Sequence, residues 1–243
     1  MTASGIAHEI APRLVVFTLA RLAGAHGWAL LSETERNHSQ TLEGRHKIRF
    51  INARIALRVN AADALGCANG QLSVERDALG QLAVTAPGRL FVSLSYGEHI
   101  GVLALATTRV GIDYETGPAP VFWQSAMRRY LCDCERRWLE GLPRHTQPHG
   151  FIWLWTRREA FLKYLGTGIR GHRQCLCDWP ADRRPVQRRF SLANGIGTLF
   201  SEHCLNGLQI HHHAFDATDD NVDYPLTWLE IPAIERRSGV RSE

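Results

Sequence analysis

The run from Phe151 to Leu165 reads FIWLWTRREAFLKYL, with charges only at Arg157, Arg158, Glu159 and Lys163. It has the length of a helix, contains neither proline nor glycine, and is apolar nearly all round its axis. It therefore predicts a helix covered on most sides by the rest of the chain. Gly166 follows where a left-handed cap would end it. Glu159 and Lys163 stand one turn apart on a shared side, with Trp155 and Thr156 beside them. As a surface pair they would contribute only a few tenths of a kcal/mol. Burying such a pair for stability alone is a poor arrangement, because desolvation offsets the attraction. The pair points to chemistry.

Upstream lies Gly111-Ile112-Asp113-Tyr114-Glu115. Read as a strand, it puts Asp113 and Glu115 on one face, because their spacing equals the strand repeat. An edge strand with two like charges side by side in solvent is the less satisfactory account. Three acidic donors, Asp113 and Glu115 from a strand and Glu159 from a helix, suit a hard divalent cation such as Mg²⁺ that also grips a phosphate. The residues thus indicate phosphoryl-type chemistry.

Around these segments the chain alternates strand-like and helix-like patterns. Leu14 to Ala20 predicts an N-terminal core strand; Glu9 before it and Arg21 after it argue against a signal peptide. Ser32-Glu33-Thr34-Glu35 is a helix start. Ile48, Ile51, Ile55 and Val59 recur at helical spacing from Arg45 to Val59, with Arg45 and Arg49 on one flank and Arg54 and Arg58 on the other. Asp77 to Gln81 and Ala86-Pro87-Gly88 are turns, and Leu90–Ser95, Ile100–Ala106 and Val110–Glu115 are strands. Thr107-Thr108 reads as a hairpin tip between the last two. Thr116 to Pro120 is the best boundary. A helix is expected from Phe122 to about Leu139, then a loop through Pro143, Pro148 and Gly150. Past Gly171 the pattern predicts a loop at Arg183-Arg184-Pro185, strands at Leu208–Phe215 and Asn221–Leu229, and a polar tail from Ile234 to Glu243. His211-His212-His213 on a strand point to alternate faces and do not converge on one ion.

The 243 residues allow one large domain or two small ones. The net charge of +4 comes almost wholly from arginine, Lys47 and Lys163 being the only lysines, and it suits an acidic or phosphorylated partner. No stretch is long and apolar enough to span a bilayer. Cys132-x-Cys134 and Cys175-x-Cys177 lack zinc-finger spacing, so reduced cytosolic thiols are expected.

Gly111, Asp113 and Glu115, followed roughly forty residues later by Trp155, Thr156, Glu159, Ala160 and Lys163, resemble the paired signatures G-[IV]-D-x-E and W-[ST]-x-K-E-[AS]-x-x-K of the 4′-phosphopantetheinyl transferases. The length resembles the surfactin-synthetase-activating type, and the likeness extends loosely from about Leu30 to Gly168. The resemblance implies an α+β fold of two pseudo-symmetric halves, 1–118 and 119–243, each a small antiparallel sheet packed on a long helix, with coenzyme A held between them. It implies a Mg²⁺-dependent transfer of 4′-phosphopantetheine from coenzyme A to a serine of an apo carrier protein, with adenosine 3′,5′-bisphosphate leaving. Asp113, Glu115 and Glu159 would hold the metal; Glu159 would also be the base, and Lys163 would hold diphosphate oxygens. Arg45, Arg49, Ser95, Tyr96 and Arg158 would meet coenzyme A. The enzyme would be a cytoplasmic monomer acting on acidic carrier domains of polyketide, peptide or fatty-acid synthases, with no nucleic-acid or membrane partner.

The chain departs from that pattern at three places. Arg158 stands where lysine is usual, Tyr96 where a histidine would contact the 3′-phosphate, and Gln81 within a Gly-Lys-Pro position. These favour one rival, a member that binds coenzyme A or a carrier without turnover; the intact carboxylate set opposes it. A second rival, another metal-dependent phosphoester enzyme such as a nuclease, lacks the histidine base and basic-aromatic tract nucleic acid would require. A plain basic interaction module would leave both motifs unexplained.

Overall fold

The computed structural model describes residues 11–76, 78–168, 174–215 and 224–234. Among the described residues ten strands form two sheets. The first contains β1 (Arg13–Thr18), β2 (Ser73–Arg76), β3 (Leu82–Ala86), β4 (Leu90–Tyr96), β5 (Ile100–Ala106) and β9 (Gln209–His213), in the order β2-β3-β4-β5-β1-β9. The second contains β6 (Val110–Thr116), β7 (Val186–Leu192), β8 (Gly195–Ser201) and β10 (Leu226–Leu229), in the order β10-β7-β8-β6. Pairing is antiparallel except between β1 and β9, which run parallel.

The pleat sends alternate residues to opposite faces, and each face finds an apolar partner. On the first sheet Val15, Phe17, Val92 and Leu103 meet Ala53, Ala56, Leu57 and Ala61 of a long helix, Gly44–Leu65. Its other face, with Leu14, Val16 and Val102, meets Ile112, Tyr114, Phe190 and Leu199 of the second sheet. The far side of that sheet is covered by the helix Gln147–Leu165, whose Ala160, Phe161 and Tyr164 pack on Phe200. The layers run helix, sheet, sheet, helix. The α+β reading holds, with the parallel β1–β9 pair as an addition to the expected antiparallel sheets.

Numbering helices along the chain, α1 is Ala25–Ala29, α2 Glu33–Gln40 and α3 Gly44–Leu65; α4 is Trp123–Tyr130, α5 Asp133–Glu140 and α6 Gln147–Leu165. The helix start expected at Ser32 is found at α2, where Ser32 and Glu35 form a capping box. Glu35 is also buried, 2.6 Å from Arg58 and 3.7 Å from Arg54, so those two arginines are not a solvated flank. The helix expected from Phe122 to Leu139 is two, because Leu131 is extended and Cys132 starts α5, its N–H donating to the Glu135 carboxylate at 3.1 Å. The expected loop at Pro148 and Gly150 is already α6. Proline is tolerated in a first turn, where its missing N–H has no intrahelical partner.

Thr107-Thr108 is not a hairpin tip. β5 and β6 belong to different sheets, and the chain crosses from one to the other there. The seam is closed by side chains of β4: Ser93 accepts from the Ile112 N–H at 2.9 Å and Ser95 from the Tyr114 N–H at 3.1 Å. These hydroxyls satisfy buried amides that a ladder would otherwise take. A boundary at 118/119 therefore follows the chain but not the sheets: β6, before it, lies in the second sheet, and β9, after it, lies in the first. Asp77, residues 221–223 of the last expected strand and residues 235–243 of the expected tail lie outside the described residues. Among the described residues no helix is long and apolar enough to cross a membrane.

Candidate active site

Gly111 lets α6 lie directly on β6. A Cβ there would sit 2.1 Å from the Ala160 carbonyl oxygen and 2.4 Å from the Tyr164 nitrogen. With the helix this close, Asp113, two residues on and on the same face, meets α6 side chains in a buried setting. The Lys163 ammonium lies 2.7 Å from Asp113 Oδ1, 3.0 Å from the Leu94 carbonyl and 3.1 Å from the Ile112 carbonyl. An ammonium has three protons, so all are engaged inside the protein. Ser95 donates to Asp113 Oδ1 at 2.9 Å. Asp113 Oδ2 is buried without a hydrogen-bond partner. A buried carboxylate oxygen left over in this way is the kind of vacancy a cation fills.

Glu115 and Glu159 flank this centre. Burial first, then the Asp113 charge, push the Glu115 carboxyl up to about 7, while Lys163 pulls it down, Glu159 raises it and a hydrogen bond from Trp155 lowers it. Glu159 is raised likewise, by burial and then Asp113, with Lys163 and Arg158 opposing. The three carboxylates thus feel one another with one ammonium among them, an excess of negative charge that attracts a cation. Their oxygens are hard donors of the type Mg²⁺ takes, and the residues fit it. Their oxygens are not all within 4.8 Å of one another; the described groups gathered that tightly are built on cysteine.

Tyr96 faces the opposite way from Ser95, toward α3. The Arg49 guanidinium lies 5.7 Å from its ring centre and donates to the Gly97 carbonyl at 2.8 Å. Burial raises the Tyr96 phenol, and Arg54, Arg76 and Arg49 counter it. Arg45, on the solvent side, is close enough to lower Arg49, whose largest shift comes from burial. A cleft of about 240 Å³ opens here, lined by Arg76, Gln81, Tyr96, Lys163, Gly166 and Gly168 among others. A larger one, about 720 Å³, has Glu115, Trp138, His149, Trp153 and Ile196 in its wall. Lys163 borders one cleft and Glu115 the other, so the carboxylate group lies between them.

Not every expected site residue joins this arrangement. Arg158 is buried and bonds Glu135 at 3.1 Å, beside Arg157 at 2.7 Å, which leaves it little surface for a phosphate. The Ser95 hydroxyl is engaged with Asp113 and the Tyr114 backbone. Arg54 and Arg76 are the cations that sequence reasoning missed near Tyr96. For Arg76 a signal existed: it ends a short strand just before the Gly80-Gln81 turn.

Residues 109–215 match the family model of the 4′-phosphopantetheinyl transferase superfamily. The chain is 30% identical over 148 residues to slr0495 of Synechocystis, provisionally named as a 4′-phosphopantetheinyl transferase, covering 59% of this chain and 60% of the relative. It is 30% identical over 128 residues to the 4′-phosphopantetheinyl transferase HetI of Nostoc, covering 51% of this chain and 54% of the relative. The matches thus span a little over half of each relative's length. The segment that matches the superfamily model, residues 109–215, includes β6 and α6, so the chain is similar to 4′-phosphopantetheinyl transferases where Asp113, Glu115, Glu159 and Lys163 stand.

Proposed function

We propose that this protein transfers 4′-phosphopantetheine from coenzyme A to a serine of an apo carrier protein and releases adenosine 3′,5′-bisphosphate. The observation that carries this reading is the meeting of Asp113, Glu115, Glu159 and Lys163 beside a cleft lined by Arg76 and Tyr96. The superfamily match over the same segments supports it. The finer assignment is the surfactin-synthetase-activating type, a cytoplasmic monomer serving acidic carrier domains of biosynthetic synthases. Its two clasping halves would be defined by chain order.

Arg49, Arg76 and exposed Arg45 would neutralise coenzyme A phosphates, as flat forks matched to phosphate oxygens. Asp113, Glu115 and Glu159 would hold Mg²⁺, which when bound offsets charge on the diphosphate. Glu159 would take the proton of the carrier serine as its oxygen attacks the phosphorus next to pantetheine, and the bond from that phosphorus to the bridging oxygen would break. Lys163 holds Asp113 at present; with Asp113 on a cation, its ammonium could turn to a phosphate oxygen.

The test is to incubate the protein with coenzyme A, Mg²⁺ and an apo carrier protein and to weigh the carrier. A gain equal to phosphopantetheine is expected. Asp113→Ala should reduce the rate by about two orders of magnitude, as loss of a preorganised charge-stabilising group does, and excess chelator should stop it. Full engagement of Lys163 inside the protein favours the binding-only alternative. That alternative predicts coenzyme A binding by calorimetry with no mass gain on any carrier.

A further inference from the structure

Four of the six cysteines converge on one spot. Cys132 and Cys134 come from the start of α5, and Cys175 and Cys177 from a single 3-10 turn, Leu176–Asp178. Cys132 Sγ lies 2.7 Å from Cys175 Sγ and 4.0 Å from Cys177 Sγ, and the sulfurs of Cys132, Cys134 and Cys177 are all within 4.8 Å of one another. Two thiolates on a tetrahedral Zn²⁺, each with Zn–S near 2.3 Å, stand ~3.8 Å apart. The Cys132–Cys177 separation is close to that value, whereas Cys132 and Cys175 stand nearer than two bound thiolates and would move apart by ~1 Å on binding. The -C-x-C- spacing is shorter than usual for zinc, which is why the sequence alone reads these residues as free thiols.

The surroundings suit negative sulfur. Arg137 Nη2 lies 4.0 Å from Cys134 Sγ, and the Cys177 N–H donates to Cys175 Sγ at 3.3 Å. Next to Cys132, buried Glu135 binds both Arg157 and Arg158, so this inner triad carries surplus positive charge. Four thiolates on a divalent cation carry two net negative charges, and these cations offset them. A disulfide between Cys132 and Cys175 would account for two sulfurs and leave Cys134 and Cys177 as idle buried thiols. One soft cation accounts for all four.

We propose that Cys132, Cys134, Cys175 and Cys177 form a structural Zn²⁺ site. It fastens the start of α5 to the turn that follows α6 and its cap, close to the Glu135 contacts of α6. Four protein ligands leave no open position, so the site is a clasp and takes no part in the reaction. Its ligands must lose their protons when the metal enters. The proposal does not depend on the transferase reading.

The protein purified without chelator should hold about one equivalent of Zn²⁺ by elemental mass spectrometry. A mercurial thiol reagent should release it. Cys134→Ser and Cys177→Ser should lose most of the metal, while Cys204→Ser, at an exposed cysteine, keeps it. Because a serine variant can unfold, wild type grown with Co²⁺ gives a second reading: the intense visible bands of tetrahedral cobalt thiolate are expected. Metal-free protein with six reactive thiols in denaturant overturns the proposal. So does a mass lighter by two hydrogens with four thiols, which would mean a Cys132–Cys175 disulfide. Zinc retained by every cysteine variant overturns it as well.

Discussion

Lys163 illustrates how one side chain can serve both fold and site. Its ammonium ties β4, β6 and Asp113 together. Lys163→Met keeps much of the chain's bulk but removes the three donors, and should cost about 2 kcal/mol, the range for hydrogen bonds to charged groups. Urea unfolding measures this, and a change below about 0.5 kcal/mol would mean that the clamp does not stabilise the fold. His213 gives a test with a pH sign. Burial lowers it, and it packs edge-on against Phe215 at 4.9 Å. Its folded value is below the unfolded one of about 6.5, so the neutral ring contributes stability that is complete above about pH 6.5 and lost as pH falls through the folded value. His213→Gln should flatten the fall in Tm between about pH 7 and pH 5. Parallel curves for the two proteins would remove His213 from the acid sensitivity.

At the level of elements, the contact of β6 with α6 depends on a missing side chain. Gly111→Ala would drive a methyl into the helix backbone, and backbone cannot rotate away as a side chain can. A loss of about 3 kcal/mol, the upper end for overpacking, is expected together with loss of transfer. Gly70→Ala, where nothing lies within 4 Å, is the control; equal stability of the two variants would show that the helix can move off the strand. Asp113 and Glu115 were legible as one strand face, and Glu159 and Lys163 as one helix side, because both pairs follow local repeats. That Lys163 bonds Asp113 was not legible, since fifty residues separate them and no periodicity relates a strand to a later helix.

For the whole molecule, the exchange of strands decides how it comes apart. β6 needs β8, and β9 needs β1, so a cut at 118/119 leaves each piece with an unpaired strand and an uncovered apolar sheet face. Residues 1–118 and 119–243 expressed separately should each lack a cooperative thermal transition, and mixing them should restore one. A cooperative transition in either piece alone would make the halves independent domains. The clefts also belong to this scale. Arg76 comes from β2 and Arg49 from α3, yet both stand at Tyr96. If they hold coenzyme A, Arg76→Gln should weaken its binding about tenfold, as loss of a charge-assisted contact does. An unchanged Kd by calorimetry would take Arg76 out of the site.

Local pattern by itself determined the start of α2, the buried α6 with its Gly166 cap, the strand carrying Asp113 and Glu115, and the family they resemble. Each is written within one turn or one pleat, where neighbours in sequence are neighbours in space. Tertiary structure alone decided that β6 leaves the sheet of β5, that Arg158 turns to Glu135, that Arg76 reaches Tyr96, and that four cysteines meet. Such meetings depend on which faces stack and how closely helices lie on sheets. Burial sets that for the whole chain at once, and residue spacing carries no record of it.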